Sequence, residues 1–146
     1  MNLKDKKSIH AEIENYAAYL KMPALKKHYQ EEIKEANLKD ISYDEFLYRL
    51  LQKEADVRLE NAKHNRIRRA NFPYKKFLED LIVEDLPEDA RKKLKSLSSL
   101  DFINTGQNII MAGNPGTGKT HLSIGLGIKA CLAGYKVLFT TVPLLI

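Results

Sequence analysis

The sequence predicts an α + α/β protein, in which an N-terminal helical domain is followed by the first βαβ portion of an α/β domain. In the first seventy residues, apolar side chains recur three and four positions apart, the spacing of one helix face. After residue 107 the pattern becomes an apolar run, a glycine-rich loop, a helical segment and a second apolar run. We place the helical domain at 1–70, a linker with a short helix at 71–99, and the start of the α/β domain at 100–146.

The helical domain carries local signals for where its helices start and stop. Pro23 suits the first turn of a helix, because its ring fixes φ and its missing N–H would have no partner there. Ser42 with Glu45 forms a capping box that opens a long helix. That helix should end before Pro73, because the residue that precedes a proline avoids helical dihedral angles.

Residues 113–120 read Gly-Asn-Pro-Gly-Thr-Gly-Lys-Thr, the full pattern of a phosphate-binding P-loop. Glycines let the chain curl so that consecutive backbone N–H groups converge on phosphate oxygens. Lys119 is expected to reach the β- and γ-phosphates of a nucleoside triphosphate, and the Thr120 hydroxyl to ligate Mg²⁺. The predicted nucleotide-binding residues are Gly113, Asn114, Pro115, Gly116, Thr117, Gly118, Lys119 and Thr120.

The segments around this loop predict the context that a P-loop requires. The run 108–112 is short and apolar, as in a buried strand, and 136–141 is a second run of this kind. Between them, 119–133 predicts a helix that is apolar on most sides and is therefore expected to pack on a sheet. The N-terminus of this helix would direct its dipole at the loop.

Composition excludes several classes of protein. Hydrophobic residues at 44% and charged residues at 29% are typical of a folded domain. The single cysteine, Cys131, excludes a disulfide framework and favours a cytoplasmic setting. The four histidines lack metal-ligand spacing. The longest apolar stretch, 137–146, is too short to span a bilayer, so we expect no membrane partner.

Basic residues are concentrated between positions 58 and 76, a segment that contains seven Lys and Arg residues and only one acidic residue. Cations that neutralise DNA phosphates release counterions and give affinity without sequence preference, and beside a P-loop we favour this interpretation. The alternative is a solvated helix end, whose dipole favours cations. The predicted DNA-binding residues are Arg58, Lys63, Arg66, Arg68, Arg69, Lys75 and Lys76.

Two aromatic residues follow the arginines of this segment, in Phe72-Pro73-Tyr74. Aromatic side chains at such a position could stack on bases or wedge between them. They could equally dock the linker onto the α/β domain, and we favour packing because aromatic residues in linkers usually pack.

Together these motifs resemble the IstB-type helper ATPases of bacterial insertion sequences, relatives of the DnaC helicase loaders within the AAA+ class. The resemblance covers nearly the whole chain. It is carried by residues 42–51, the arginine-rich helix end, Phe72-Pro73-Tyr74, residues 100–103, the P-loop with its following residues to 122, and residues 134–141.

The resemblance implies a helical domain that contacts duplex DNA and a cognate transposase, followed by a P-loop AAA+ ATPase domain. Such proteins assemble with their own copies on DNA, with ATP and Mg²⁺, and help the transposase to use its target. Phe102 and Ile103 would lie on the adenine side. Two alternatives stay open: a helicase-loader-like interaction protein, and a non-catalytic remnant that binds DNA or full-length partners.

The family pattern also implies groups that residues 1–146 do not contain. Relatives are expected to continue further, with an acidic motif that positions Mg²⁺ and water, a polar sensor and an arginine finger. Because phosphoryl transfer depends on such groups, we assign no catalytic residue and expect a fragment without the hydrolytic motifs. In the AAA+ strand order, other strands lie between the runs 108–112 and 136–141.

Overall fold

The computed structural model of the protein describes residues 6–144. Contacts divide the chain into two compact units, one ending at Asn61 and the other beginning at Ala62. No helix in 6–144 is long and apolar enough to cross a membrane. The domain limits drawn at 70 and 99 stay predictions. The helices are α1 (Lys6–Tyr19), α2 (Pro23–Lys39), α3 (Tyr43–Arg69), α4 (Glu88–Ser98), α5 (Asp101–Asn104) and α6 (Lys119–Leu132), with 3₁₀ turns at Leu78–Asp80, Val83–Asp85 and Val142–Leu144.

In the first unit, α1 and α2 pack around Tyr29, which is only 2% exposed. Its ring meets His10 edge to face, with 5.6 Å between the ring centroids. Its hydroxyl donates a hydrogen bond to Glu14 Oε1 at 3.2 Å. Ala17 and Ala24 are buried as well, and their small side chains leave room for two helices to approach closely. The helices expected in this part of the chain are present, and α2 begins at Pro23 as predicted.

A buried carboxylate from α3 caps the start of α2. Met22, at the N-cap of α2, provides no side-chain hydrogen bond. Glu54 Oε2 instead accepts hydrogen bonds from the N–H groups of Ala24, at 2.9 Å, and Leu25, at 3.2 Å. The first N–H groups of a helix have no partner within the helix, and its N-terminus favours a negative charge. Glu54 therefore stabilises α2 from a distant position in the sequence.

The core of the second unit is built around α6. Ile124 and Cys131 are 0% exposed and Ile128 is 1% exposed. The linker around the Leu78–Asp80 turn, α4, α5 and the segment after α6 supply side chains that surround this helix. Enclosure on several sides accounts for a helix that is apolar around most of its circumference. The side chains packed against the buried cluster of Leu100, Leu122, Leu126 and Ala130 are Leu78, Leu81, Leu94, Leu97, Phe102, Ile103, Met111, Tyr135 and Val137.

The predicted βαβ portion is wrong: within residues 6–144 the structure contains no β-strand. The apolar runs 108–112 and 136–141 both lack regular secondary structure. A strand needs a ladder of backbone hydrogen bonds to a neighbouring strand, and no backbone bond joins these two runs in the described chain. Instead, the Phe139 N–H donates to the Ala70 carbonyl at 2.7 Å. An apolar run without a neighbouring strand can bury side chains but cannot form a ladder.

The linker, in place of a sheet, approaches α6 closely at two glycines. A Cβ at Gly125 would lie 2.7 Å from Leu78 Cδ2, and a Cβ at Gly127 would lie 2.8 Å from Phe72 Cζ. Both distances are shorter than a normal carbon–carbon contact. Phe72 also packs on Phe139, with 5.9 Å between the ring centroids. Phe72 is therefore a packing residue, as one of the two interpretations of Phe72-Pro73-Tyr74 predicted.

Gly125→Val should destabilise the second unit by about 2 kcal/mol, because the added methyl groups collide with Leu78. Leu78→Ala opens space at the same contact, so the double variant should lose less than the two single losses combined. Urea unfolding followed by circular dichroism measures all three. Strictly additive losses would show that Leu78 does not limit the space beside Gly125.

Cys131 should react slowly with a thiol reagent while the protein is folded. Burial raises the pKa of its thiol, an effect that the nearby Arg66 guanidinium partly offsets. Because the thiolate is the attacking species, labelling by DTNB at neutral pH should be at least about tenfold slower than in urea-unfolded chain. The folded rate should rise as the pH is raised. Equal rates for folded and unfolded chain would contradict this burial.

Candidate phosphate-binding site

The P-loop runs directly into the first turn of α6. Gly116 and Gly118 have φ angles of 82° and 80°, a left-handed conformation that is unfavourable for residues with a Cβ. Gly118 is the N-cap of α6, so its conformation directs the chain from the loop into the helix. A Cβ at Gly116 would have no heavy atom within 4 Å, so the space beside this part of the loop is open.

Lys119 places its ammonium group against the loop. Its Nζ donates hydrogen bonds to the carbonyl oxygens of Gly113, at 2.8 Å, and Asn114, at 2.6 Å. A further bond reaches Thr117 Oγ1 at 3.2 Å. The Thr117 hydroxyl in turn donates to the Asn114 carbonyl at 2.9 Å. These bonds hold a positive charge within the curve of the loop.

The N-terminus of α6 adds hydrogen-bond donors at the same place. The bond from the Leu122 N–H to the Gly118 carbonyl, at 2.9 Å, opens the helical ladder. The N–H groups of Lys119, Thr120 and His121 precede that bond and have no acceptor within the helix. The dipole of this 14-residue helix adds positive potential. The backbone donors, the ammonium and the open space beside Gly116 fit the oxygens of a phosphate group.

The donor set at the loop favours an anion over a bare cation. Thr120, the predicted Mg²⁺ ligand, has an exposed side chain in the first turn of α6. Among the described residues, no cluster of three or more His, Cys, Asp or Glu side chains could hold a metal ion. A magnesium ion at Thr120 would therefore depend on oxygens supplied by a bound nucleotide.

Two cavities flank the loop. The larger, of about 390 Å³, is bordered by α4, residues 107–112 and the loop itself. The smaller, of about 300 Å³, lies between the loop and the linker, and its lining includes Lys76 and Asp80. Space for a ligand larger than a phosphate group thus exists on either side of the loop.

Phe102 and Ile103, expected on the adenine side, pack against the core of the second unit. Both are half-buried. Neither lines one of the two cavities that flank the loop. Their contact with a nucleotide base stays a prediction.

His121 links the start of α6 to the linker, a contact that sequence reasoning missed. Its Nε2 lies 2.9 Å from the carbonyl oxygen of Phe77 and donates to it when that nitrogen carries the proton. The Phe77 N–H is bonded to Asp80 Oδ2 at 3.0 Å. Because His121 and Phe77 are 44 positions apart, no local spacing in the sequence indicates the contact.

Arg58, the first of the predicted DNA-binding residues, has structural partners in the first unit. Its Nε donates to Glu54 Oε1 at 3.2 Å. Its Nη2 donates to the carbonyl oxygens of Lys21, at 3.0 Å, and Leu20, at 3.4 Å. The guanidinium thus satisfies backbone acceptors that follow α1, where cations are favoured. Its contact with DNA stays a prediction.

Two arginines of the basic segment also have partners within the second unit. The Arg66 Nε donates to the carbonyl oxygen of Cys131 at 2.6 Å, at the C-terminal end of α6. The Arg68 Nη2 donates to Asn65 Oδ1 at 3.0 Å. Arg66 therefore binds a helix terminus, whereas Arg68 makes a local contact on an exposed surface.

The other cations of the basic segment differ in their exposure. Arg69, Lys75 and Lys76 have exposed side chains, and Lys63 is half-buried. Exposed cations can approach a DNA backbone without unfolding of the segment that carries them. The structure thus leaves these three, together with Arg68, accessible to a polyanion.

A cavity of about 440 Å³ brings Arg66 and Arg69 together with Lys136. Lys136 is exposed and lies in the segment after α6. Sequence reasoning missed it because it stands far along the chain from the basic segment and belongs to no local motif.

The chain is similar to known proteins over most of its length. Residues 15–146 match the family described as IstB-like ATP binding protein. An insertion sequence IS21 ATP-binding protein of Pseudomonas aeruginosa is 38% identical over 135 residues, which cover 92% of this chain and 51% of the relative. An IS5376 ATP-binding protein of Geobacillus stearothermophilus is 33% identical over 129 residues, covering 88% and 51%. An IS21-like ATP-binding protein of Bacteroides fragilis is 34% identical over 131 residues, covering 89% and 49%.

The chain spans about half the length of these curated relatives. The matched residues include the whole P-loop and α6, as well as α2 and α3. The resemblance drawn from the sequence motifs is confirmed by a match over nine-tenths of this chain to the relative from Pseudomonas aeruginosa. The chain belongs to the family of IstB-like ATP-binding proteins.

Proposed function

We propose that this chain binds ATP at its P-loop and acts as a helper in the transposition of an insertion sequence. The observation that carries the proposal is the convergence of the Lys119 ammonium, the glycine-rich loop and the N-terminus of α6. Relatives named for ATP binding in insertion sequences support both parts of it. The proposed nucleotide-binding residues are Gly113, Asn114, Pro115, Gly116, Thr117, Gly118, Lys119 and Thr120.

Binding of a triphosphate would exchange the loop contacts of Lys119 for contacts with phosphate. The ammonium is bonded to neutral carbonyl and hydroxyl oxygens of the loop. A phosphate oxygen carries negative charge, so its Coulomb attraction to the ammonium adds to the hydrogen bond, whereas the loop oxygens are neutral. The carbonyls of Gly113 and Asn114 hold the Lys119 ammonium inside the loop, close to the proposed phosphate position.

Mg²⁺ is the proposed metal cofactor, with the Thr120 hydroxyl as its ligand from this chain. The ion would neutralise part of the charge on the β- and γ-phosphates. Thr120 is exposed next to Lys119, so its hydroxyl can serve a metal without displacing a packed side chain. We propose no catalytic residue for hydrolysis within this chain.

We also propose that the basic segment, residues 58–76, binds duplex DNA. The exposed residues Arg68, Arg69, Lys75 and Lys76 are its main contacts, because none of them is bonded to a helix terminus. Arg58, Lys63 and Arg66 complete the proposed set. A cognate transposase and further copies of the chain are the proposed protein partners, in line with the family resemblance.

Lys119→Met should weaken ATP binding by about 3 kcal/mol, or roughly 100-fold, because methionine fills similar space but cannot donate to phosphate. Calorimetric titration of the full chain with ATP and Mg²⁺ measures the dissociation constant. The matched control is Lys129→Met, which removes the same charge from the last turn of the same helix. Equal ATP affinity of the Lys119 variant and the wild type would exclude the P-loop as the site.

Arg68→Gln/Lys75→Gln should weaken duplex binding and make its dependence on salt less steep. The plot of log K against log salt concentration has a negative slope, and each lost phosphate contact should reduce the size of that slope by about 0.9. The slope of the double variant should therefore be smaller in size by about 1.8. Fluorescence anisotropy of a labelled duplex over a range of salt concentrations measures both quantities.

Arg91→Gln/Lys95→Gln is the control for this experiment, since it removes two exposed cations from α4. It should retain the affinity and the salt slope of the wild type. If both double variants weaken binding equally, the DNA contact depends on total charge and the basic segment is not its site.

A further inference from the structure

The cavity at the C-terminal end of α6 has a lining that is rich in cations. Arg66, Arg69 and Lys136 all border its volume of about 440 Å³, together with Asn65 and Gly134. Among the described residues that line it, none is Asp or Glu. Like charges collected in one cleft repel one another, and an anion bound among them would remove that cost.

Two hydrogen bonds hold the opposite walls of this cleft in place. The Arg66 Nε is bonded to the Cys131 carbonyl at 2.6 Å, which joins the end of α3 to the end of α6. The Phe139 N–H is bonded to the Ala70 carbonyl at 2.7 Å, which joins the segment that carries Lys136 to the residue after α3. The three cations are therefore brought together by the fold of the second unit and not by sequence spacing alone.

The cations retain donors for a ligand. The bond to Cys131 uses one of the five N–H groups of the Arg66 guanidinium. The side chains of Arg69 and Lys136 have no hydrogen-bond or ion-pair partner in the part of the chain that the structure describes. An arginine fork beside an ammonium is suited to a phosphate group, which accepts several charge-assisted hydrogen bonds.

We propose that Arg66, Arg69 and Lys136 form a phosphate-binding cleft that takes the backbone of duplex DNA. The inference rests on the proposed DNA-binding function and adds Lys136, a residue outside the basic segment, to the contact surface. DNA is favoured over a free phosphate ion because Arg66 and Arg69 belong to the same basic segment as the exposed Arg68 and Lys75.

The cleft is separate from the nucleotide site. α6 has 14 residues, so at 1.5 Å per residue about 21 Å lie between its two ends. The P-loop is at the N-terminal end and the cleft is at the C-terminal end. A variant of the cleft should therefore leave ATP binding unchanged.

The test is Lys136→Ala in the full chain, with Lys136→Arg as the conservative variant and Lys95→Ala as the matched control. Lys136→Ala should weaken binding of a labelled duplex about fivefold and make the salt slope shallower by about 0.9. Both effects should be the same for duplexes of different sequence, because phosphate contacts do not depend on the bases. Lys136→Arg and Lys95→Ala should retain the wild-type values. ATP affinity should be the same in all four proteins, and thermal unfolding checks that each is folded.

The outcomes separate this inference from the proposed function. If the wild type binds the duplex and Arg68→Gln/Lys75→Gln weakens it, but Lys136→Ala matches the wild type, the cleft is overturned and the DNA-binding function stands. If the wild type does not bind the duplex, the DNA-binding function fails and the cleft with it. If Lys136→Ala abolishes binding of inorganic phosphate but leaves duplex affinity unchanged, the cleft serves a free anion and its assignment to DNA is overturned.

Discussion

The enclosure of α6 is the constraint on which the second unit depends. Its apolar side chains point in most directions, and Ile124, Ile128 and Cys131 are almost fully buried. Since the described chain contains no sheet to cover it, the linker around Leu78, α4, α5 and the segment after α6 do so. Gly125 and Gly127 allow Leu78 and Phe72 to come close enough. Once α6 is enclosed, the positions of both of its ends are fixed.

Each end of α6 presents backbone groups of one kind and has a cationic side chain beside it. At the N-terminus the free N–H groups stand next to Lys119, so both favour an anion. At the C-terminus the carbonyl of Cys131 accepts from Arg66, whose other N–H groups remain for a ligand. A cation that satisfies a helix end can therefore also recruit a phosphate. One packed helix thus organises both proposed binding sites.

Local rules predicted the features that depend on a few neighbouring residues. Pro23 does begin α2, and the Ser42 hydroxyl does accept a hydrogen bond from the Glu45 N–H, at 3.3 Å. The P-loop pattern also predicted its helix, which begins at Lys119. The strand predictions were wrong because an apolar run such as 108–112 is compatible with a buried strand and with a loop. Only a neighbouring strand distinguishes the two, and spacing along the chain does not provide one. In the structure this run is a loop in which Ile110 is exposed and Met111 packs against the core.

Contacts between distant positions also show that the number of basic residues in segment 58–76 does not by itself identify a binding surface. The seven basic residues between 58 and 76 are all predicted to contact DNA, yet Arg58 and Arg66 each bind backbone carbonyls that follow or end another helix. Conversely, Lys136 lies outside that segment and shares a cavity with Arg66 and Arg69. The number of cations in a segment therefore sets the strength of its attraction to a polyanion. In the proposed DNA-binding mode, the helix ends that the fold places beside these cations determine which of them remain available for phosphates.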